Sequence, residues 1–123
     1  MCMRGDIFFV DFGPGSGTSK QCGKRPVVVV SNNMANTHSP VVTVVPLTSR
    51  IWKKRHLPTH VFIPQQATDG LDRDSMALAE QVEALDKNRL ISYKGHVRDR
   101  QVMAEITQAI QVQIGVYNEY NDF

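Results

Sequence analysis

Arg25-Pro26-Val27-Val28-Val29-Val30 is the stretch on which the fold turns. Four consecutive valines are stiff at χ1 and favour extended backbone. They do not alternate with polar residues, so the run predicts a strand buried on both faces rather than an amphipathic one. Pro26 has no N–H to give a ladder, which suits the first residues of a strand.

Working outward, Ile7-Phe8-Phe9-Val10-Asp11-Phe12 is a second β-rich run. Between the two lies Gly13-Pro14-Gly15-Ser16-Gly17-Thr18-Ser19-Lys20-Gln21-Cys22-Gly23, whose glycines predict a mobile loop. After the valines, Ser31-Asn32-Asn33 closes the strand and a turn or short helix runs to Ser39. Pro40 to Leu47 is a further β-branched strand, Thr48 to His56 a basic connection, and Thr59 to Ile63 a short strand ended by Pro64. Asp69-Gly70 marks a turn. Ser75 to Leu85 mixes strand and helix signals and is read as one strand, because the preceding short β segments need partners. Asp86 to Arg89 is a turn, and Leu90 to Val97 is the last strand.

Asp99 is placed to cap a helix. Val102, Met103, Ile106, Ala109, Ile110 and Ile114 then recur at helical spacing, which predicts an amphipathic helix. Many short strands and one C-terminal helix give a mainly β fold, a small closed or half-closed barrel. Residues 1–116 are read as one domain, and 117–123 as a frayed tail.

The chain has 123 residues, enough for one domain with a limited core, so association of two copies is a natural way to bury more. Its net charge of +2 is too small to name a partner. The local distribution is more informative: Lys20, Lys24 and Arg25 cluster early, and Arg50, Lys53, Lys54, Arg55 and His56 form a second run. Two cysteines, Cys2 and Cys22, make no disulfide framework, and the four histidines share no metal-ligand spacing with them. No signal peptide and no membrane-spanning run is visible, so a cytoplasmic protein is expected.

The specific signal is an ordered string of short motifs. Arg4-Gly5-Asp6-Ile7 is followed by the glycine-rich loop, Arg25-Pro26 and the valines. Pro46-Leu47-Thr48-Ser49 comes next, then Leu57-Pro58-Thr59-His60-Val61, Gly70-Leu71 with Ser75, Glu80-Gln81, and Leu85-Asp86 with Arg89-Leu90. In this order the string resembles the MazF/PemK (Kid-type) family of toxin endoribonucleases, from about Arg4 to about Gly115.

The resemblance implies an SH3-like β-barrel of the CcdB/Kid/MazF type, assembled as a symmetric homodimer. It implies the toxin of a type II toxin–antitoxin system, cutting single-stranded mRNA at chosen sequences without metal or other cofactor. The ribose 2′-hydroxyl is the implied nucleophile, leaving a 2′,3′-cyclic phosphate and a 5′-hydroxyl. The implied protein partner is a cognate MazE/PemI-like antitoxin whose acidic segment covers the RNA groove, the complex being DNA-binding.

Such chemistry needs a proton taken from the 2′-hydroxyl, one given to the leaving 5′-oxygen, and donors aimed at the phosphorane. The sequence offers no acidic metal cage, so fixed cations and hydrogen bonds are expected to carry the charge. Arg25 matches the family's catalytic arginine. Its planar fork suits two phosphate oxygens, and a fixed cation is better suited to stabilising charge than to moving protons. Thr48 matches the catalytic threonine, a hydroxyl donor to the phosphate. RNA contacts are expected from Lys20, Lys24, Ser49, Arg50, Ser75 and Gln81, the last by reading a base edge. Phe9 and Phe12 are read as core, with base stacking as the other role. His60 is read as packed, and His38, His56 and His96 as surface.

In two places the chain departs from the family pattern. Many relatives carry an acidic residue shortly before the Arg-Pro step, where Lys20 stands. One branch uses an arginine and an aspartate on the fifth strand, where Leu78 and Glu80 stand, so the Arg25/Thr48 scheme is the one carried over. Two other functions fit the same barrel: a CcdB-like gyrase poison and a non-catalytic RNA-binding module. The first would depend on C-terminal helix residues and leave Arg25 and Thr48 free to vary; the second would bind RNA with salt dependence but never cut it.

Overall fold

A computed structural model describes residues 2–14, 22–51 and 57–116. The elements are β1 (Asp6–Asp11), β2 (Lys24–Val29), α1 (Asn33–His38), β3 (Val41–Thr48), β4 (His60–Ile63), β5 (Thr68–Asp69), β6 (Ser75–Leu78), β7 (Glu83–Asp86), β8 (Ser92–Val97) and α2 (Arg100–Gln113). The expected loop between β1 and β2, the basic run 52–56 and the tail 117–123 lie largely or wholly outside the described residues.

The described strands form one eight-stranded antiparallel sheet in the order β4-β6-β3-β2-β1-β8-β5, with β7 also on β3. Its two end strands, β4 and β5, are consecutive in the chain, joined by Pro64 and a 3-10 turn at Gln65–Ala67. So short a link makes the sheet curl until its edges nearly meet, which limits open edge. The result is a nearly closed barrel with a C-terminal helix, the predicted class.

The valine strand is buried on both faces. Val28 and Val30 pack with Ile7, Val45, Leu47, Ile63 and Ile106 in one core cluster. Val27 and Val29 pack with Cys2, Val10, Val42, Val44 and Leu85 in another. Phe8 and Phe12 pack against that second cluster, as expected for Phe12. Asp99 caps α2, its side chain accepting from the Gln101 N–H at 2.8 Å. Val102, Ile106, Ala109 and Val112 are the buried side of that helix. Ile114, expected as its last apolar rung, is instead the C-cap and 65% exposed. Arg4 ties the start of the chain to α2, donating to the Val30 carbonyl and, at 2.5 Å, to Thr107 Oγ1.

The segment 75–85 is not one strand. β6 pairs with the end of β3 (Leu47 opposite Ala77), and β7 pairs with its start (Val44 opposite Glu83). Between them the register slips by three residues, the length of the 3-10 turn Ala79–Gln81. One long strand therefore serves two short ones, and the mixed propensity of Ala79-Glu80-Gln81 marks the break. The two-residue strand β5 was not anticipated; Asp69 pairs with His96, and the bend follows at Gly70. No helix of the described residues is long and apolar enough to cross a membrane.

Candidate active site

A cleft of about 250 Å³ opens where β1, β2, β3 and β8 meet the segment leading into β6. Phe9, Arg25, Pro26, Thr48, Ser49, Ser75 and Lys94 line it, together with Leu71, Asp72 and Arg73. Strand register builds the centre. Val27 lies opposite Pro46, so extending the antiparallel pairing by two residues sets Thr48 across from Arg25. Phe9 lies opposite Pro26.

Arg25 Nε donates to the Cys22 carbonyl at 2.9 Å, which fixes the plane of the guanidinium. Its terminal nitrogens make no bond to another described residue and are left for a ligand. Thr48 is 3% exposed, and its Oγ1 accepts from the Arg50 N–H at 3.1 Å. Among the described residues the hydroxyl hydrogen has no acceptor and is available to donate. Ser75 Oγ donates to the Arg73 carbonyl at 3.2 Å, and Asp74 Oδ1 accepts from the Gln65 N–H at 2.9 Å. These two bonds hold the segment that carries Asp72 and Arg73.

The structure thus brings together Arg25, Thr48, Ser49 and Ser75. Arg50 is exposed just past the cleft, and its backbone rather than its side chain reaches Thr48. Lys24 is exposed at the start of β2 and is not among the lining residues. Gln81 is half-buried in the 3-10 turn after β6, also off the lining. Lys20 lies outside the described residues. Phe9, read as core, is half-buried and lines the cleft. Arg73, Asp72 and Lys94 were missed. Arg73 and Asp72 stand at the unread positions between Gly70-Leu71 and Ser75, and Lys94 has a signal only in the glycine that follows it.

His60 is buried, as expected, with Nε2 at 3.0 Å from Glu80 Oε2; Thr59 Oγ1 donates to Glu80 Oε1 at 3.1 Å. This cluster joins the start of β4 to the 3-10 turn after β6, and none of its residues lines the cleft. Among the described residues, no three or more His, Cys, Asp and Glu side chains come together as a metal-holding group.

The profile of the PemK-like, MazF-like toxin of type II toxin-antitoxin systems matches residues 3–114. The chain belongs to the PemK/MazF toxin family. It is 41% identical to the Endoribonuclease MazF of Staphylococcus saprophyticus over 117 residues, 95% of this chain and 94% of that one. At that identity across nearly the whole of both chains, the enzyme class comes with the family: an endoribonuclease. Among solved structures, an endoribonuclease in complex with its cognate antitoxin from a mycobacterial species superposes with a TM-score of 0.76 at 29% identity, covering 96% of this chain and 99% of that one. MazF from Deinococcus radiodurans shares the fold, with a TM-score of 0.73 at 23% identity over 93% of this chain and 96% of that one. The PemK/MazF fold thus accounts for the barrel and helix of the described residues.

Proposed function

We propose that this chain is a toxin that cuts single-stranded mRNA at chosen sequences, without metal, by attack of a ribose 2′-hydroxyl on the adjacent phosphate. The observation that carries the reading is the pairing, in one cleft, of a guanidinium and a buried threonine whose terminal nitrogens and hydroxyl hydrogen go to no other group among the described residues. In the reaction the 2′-oxygen bonds to phosphorus as the bond to the 5′-oxygen breaks. The 2′-hydroxyl proton is lost, and the leaving 5′-oxygen gains one. The products are a 2′,3′-cyclic phosphate and a 5′-hydroxyl.

Arg25 holds two non-bridging oxygens through its terminal nitrogens and balances the charge that grows on them. Thr48 donates to one of the same oxygens. Both are fixed before substrate arrives, Arg25 by Cys22 and Thr48 by the Arg50 amide, so little reorganisation is needed in the transition state. Ser49, Ser75 and Arg73 flank them and position the neighbouring backbone. Lys24, Arg50 and Gln81 are assigned contacts with RNA beyond the cleft, and Lys20 is assigned an RNA contact from its sequence position alone.

The protein acts in the cytoplasm as a symmetric homodimer, and a cognate antitoxin with an acidic segment silences it by covering the cationic cleft. Support for the antitoxin is the complex formed by the mycobacterial relative. Sedimentation as a dimer at micromolar concentration is expected; a monomer would count against the assembly.

The test uses purified protein, a long single-stranded transcript and excess chelator. Discrete cuts with 2′,3′-cyclic phosphate and 5′-hydroxyl ends, lost in Arg25→Ala, are expected. Cutting only after a divalent metal is restored would overturn the metal-independent reading.

A further inference from the structure

We propose that Lys94 is a substrate-positioning residue of the cleft, its ammonium holding an RNA phosphate next to the one that reacts at Arg25 and Thr48. The proposal rests on the RNA-cleaving reading above and adds a residue to it.

The strand itself directs Lys94 there. β8 pairs with β1 as Asp6 opposite His96 and Ile7 opposite Gly95, but the next residue of β1, Phe8, lies opposite Tyr93. Lys94 is therefore the extra residue of a β-bulge, a feature that re-aims a side chain. Both neighbours pin the bulge. Tyr93 packs edge-on against Phe8, with ring centroids 5.6 Å apart. Gly95 lies backbone to backbone against Asp69 and Gly70.

The ammonium is also held in a state ready for an anion. Lys94 Nζ stands 5.8 Å from the centroid of Phe9, a ring face that steadies a cation without neutralising it. Among the described residues, no carboxylate forms an ion pair with Lys94. Phe9 thus acts as a support for Lys94 rather than as a base-stacking platform on that face.

Charge makes the same point. Arg25, Arg73 and Lys94 converge on one cleft against a single lining carboxylate among the described residues, Asp72. Gathering like charges is unfavourable unless an anion belongs between them. A nucleic acid strand, with a phosphate at every step, meets that need at more than one point along the cleft.

The experiment compares Lys94→Met, which keeps an unbranched apolar stem and removes the charge, with Lys94→Arg and with Lys87→Met outside the cleft. Two quantities are read: KM and kcat on a labelled RNA spanning the strongest cut, and the salt dependence of binding to the 2′-O-methyl form of the same RNA. Lys94→Met is expected to raise KM about tenfold with kcat within about twofold. It should also make the slope of log K against log salt shallower by about 0.7, one phosphate's worth on a single strand. Lys94→Arg should restore both, and Lys87→Met should change neither. An unchanged KM and slope in Lys94→Met, or an equal change in Lys87→Met, would overturn the proposal. If the wild type cuts no RNA, the RNA-cleaving reading fails instead, and the slope on a 2′-O-methyl oligouridylate still decides whether Lys94 holds a phosphate.

Discussion

Gly70 and Gly95 meet backbone to backbone: a Cβ on Gly95 would stand 1.8 Å from the Asp69 carbonyl oxygen, and one on Gly70 would stand 2.0 Å from the Lys94 carbonyl oxygen. Gly70 also has a φ of +107°, which side chains rarely adopt. This contact joins β8 to the segment that carries Leu71, Asp72 and Arg73, and so fixes one wall of the cleft. Gly95→Ala is expected to destabilise the fold by about 3 kcal/mol or more, because the obstacle is backbone and cannot rotate away. Urea unfolding checks it; a loss under about 1 kcal/mol would mean the two strands part easily.

Thr48→Val removes the hydroxyl while nearly keeping shape. It takes away the donor that the proposed mechanism assigns to the phosphate and leaves the Arg50 amide without its acceptor. Single-turnover cleavage is expected to slow by about 10²–10³, as for loss of one oxyanion donor. Thr48→Ser should recover much of the rate. A Val variant with wild-type rate would remove Thr48 from the chemistry.

Arg25→Lys keeps the charge but loses the planar fork, so a single nitrogen would have to serve both the Cys22 carbonyl and the phosphate without a parallel pair of donors. Cleavage should fall about 10²-fold or more while RNA affinity changes far less. Equal losses in the two would mean that Arg25 serves binding alone.

Ile106 is fully buried where α2 meets the barrel core. Ile106→Ala is expected to cost about 2–5 kcal/mol. By contrast, Asp99→Ala should cost about 1 kcal/mol, the worth of one N-cap. Thermal unfolding of both variants ranks them, and the reverse order would mean that the helix is held by its cap rather than by its packing.

Much of this architecture was legible in the residues. Val27 to Val30 announced a strand buried on both faces, because a β-branched run without alternation has few other ways to pack. Asp99 and the apolar spacing of 102–110 announced the helix. The break in 75–85 was not legible, since the 3-10 turn at Ala79–Gln81 depends on β3 serving two strands in turn. Arg25 and Thr48 were legible through the family motifs, and register explains why they meet. Arg73 and Lys94 were not, because they reach the cleft through a loop and a bulge that converge only in three dimensions. Gly95 was the available sign: a lone glycine within a strand pattern marks a bulge or a close backbone approach.

The most direct measurement takes the RNA sequence at the strongest cut and replaces one ribose, that on the 5′ side of the cut, with its 2′-deoxy form, in excess chelator. Cutting is expected to stop at that linkage while binding to the oligonucleotide persists. Continued cutting at the deoxy linkage would contradict it, since the nucleophile would then have to be something other than the neighbouring 2′-hydroxyl.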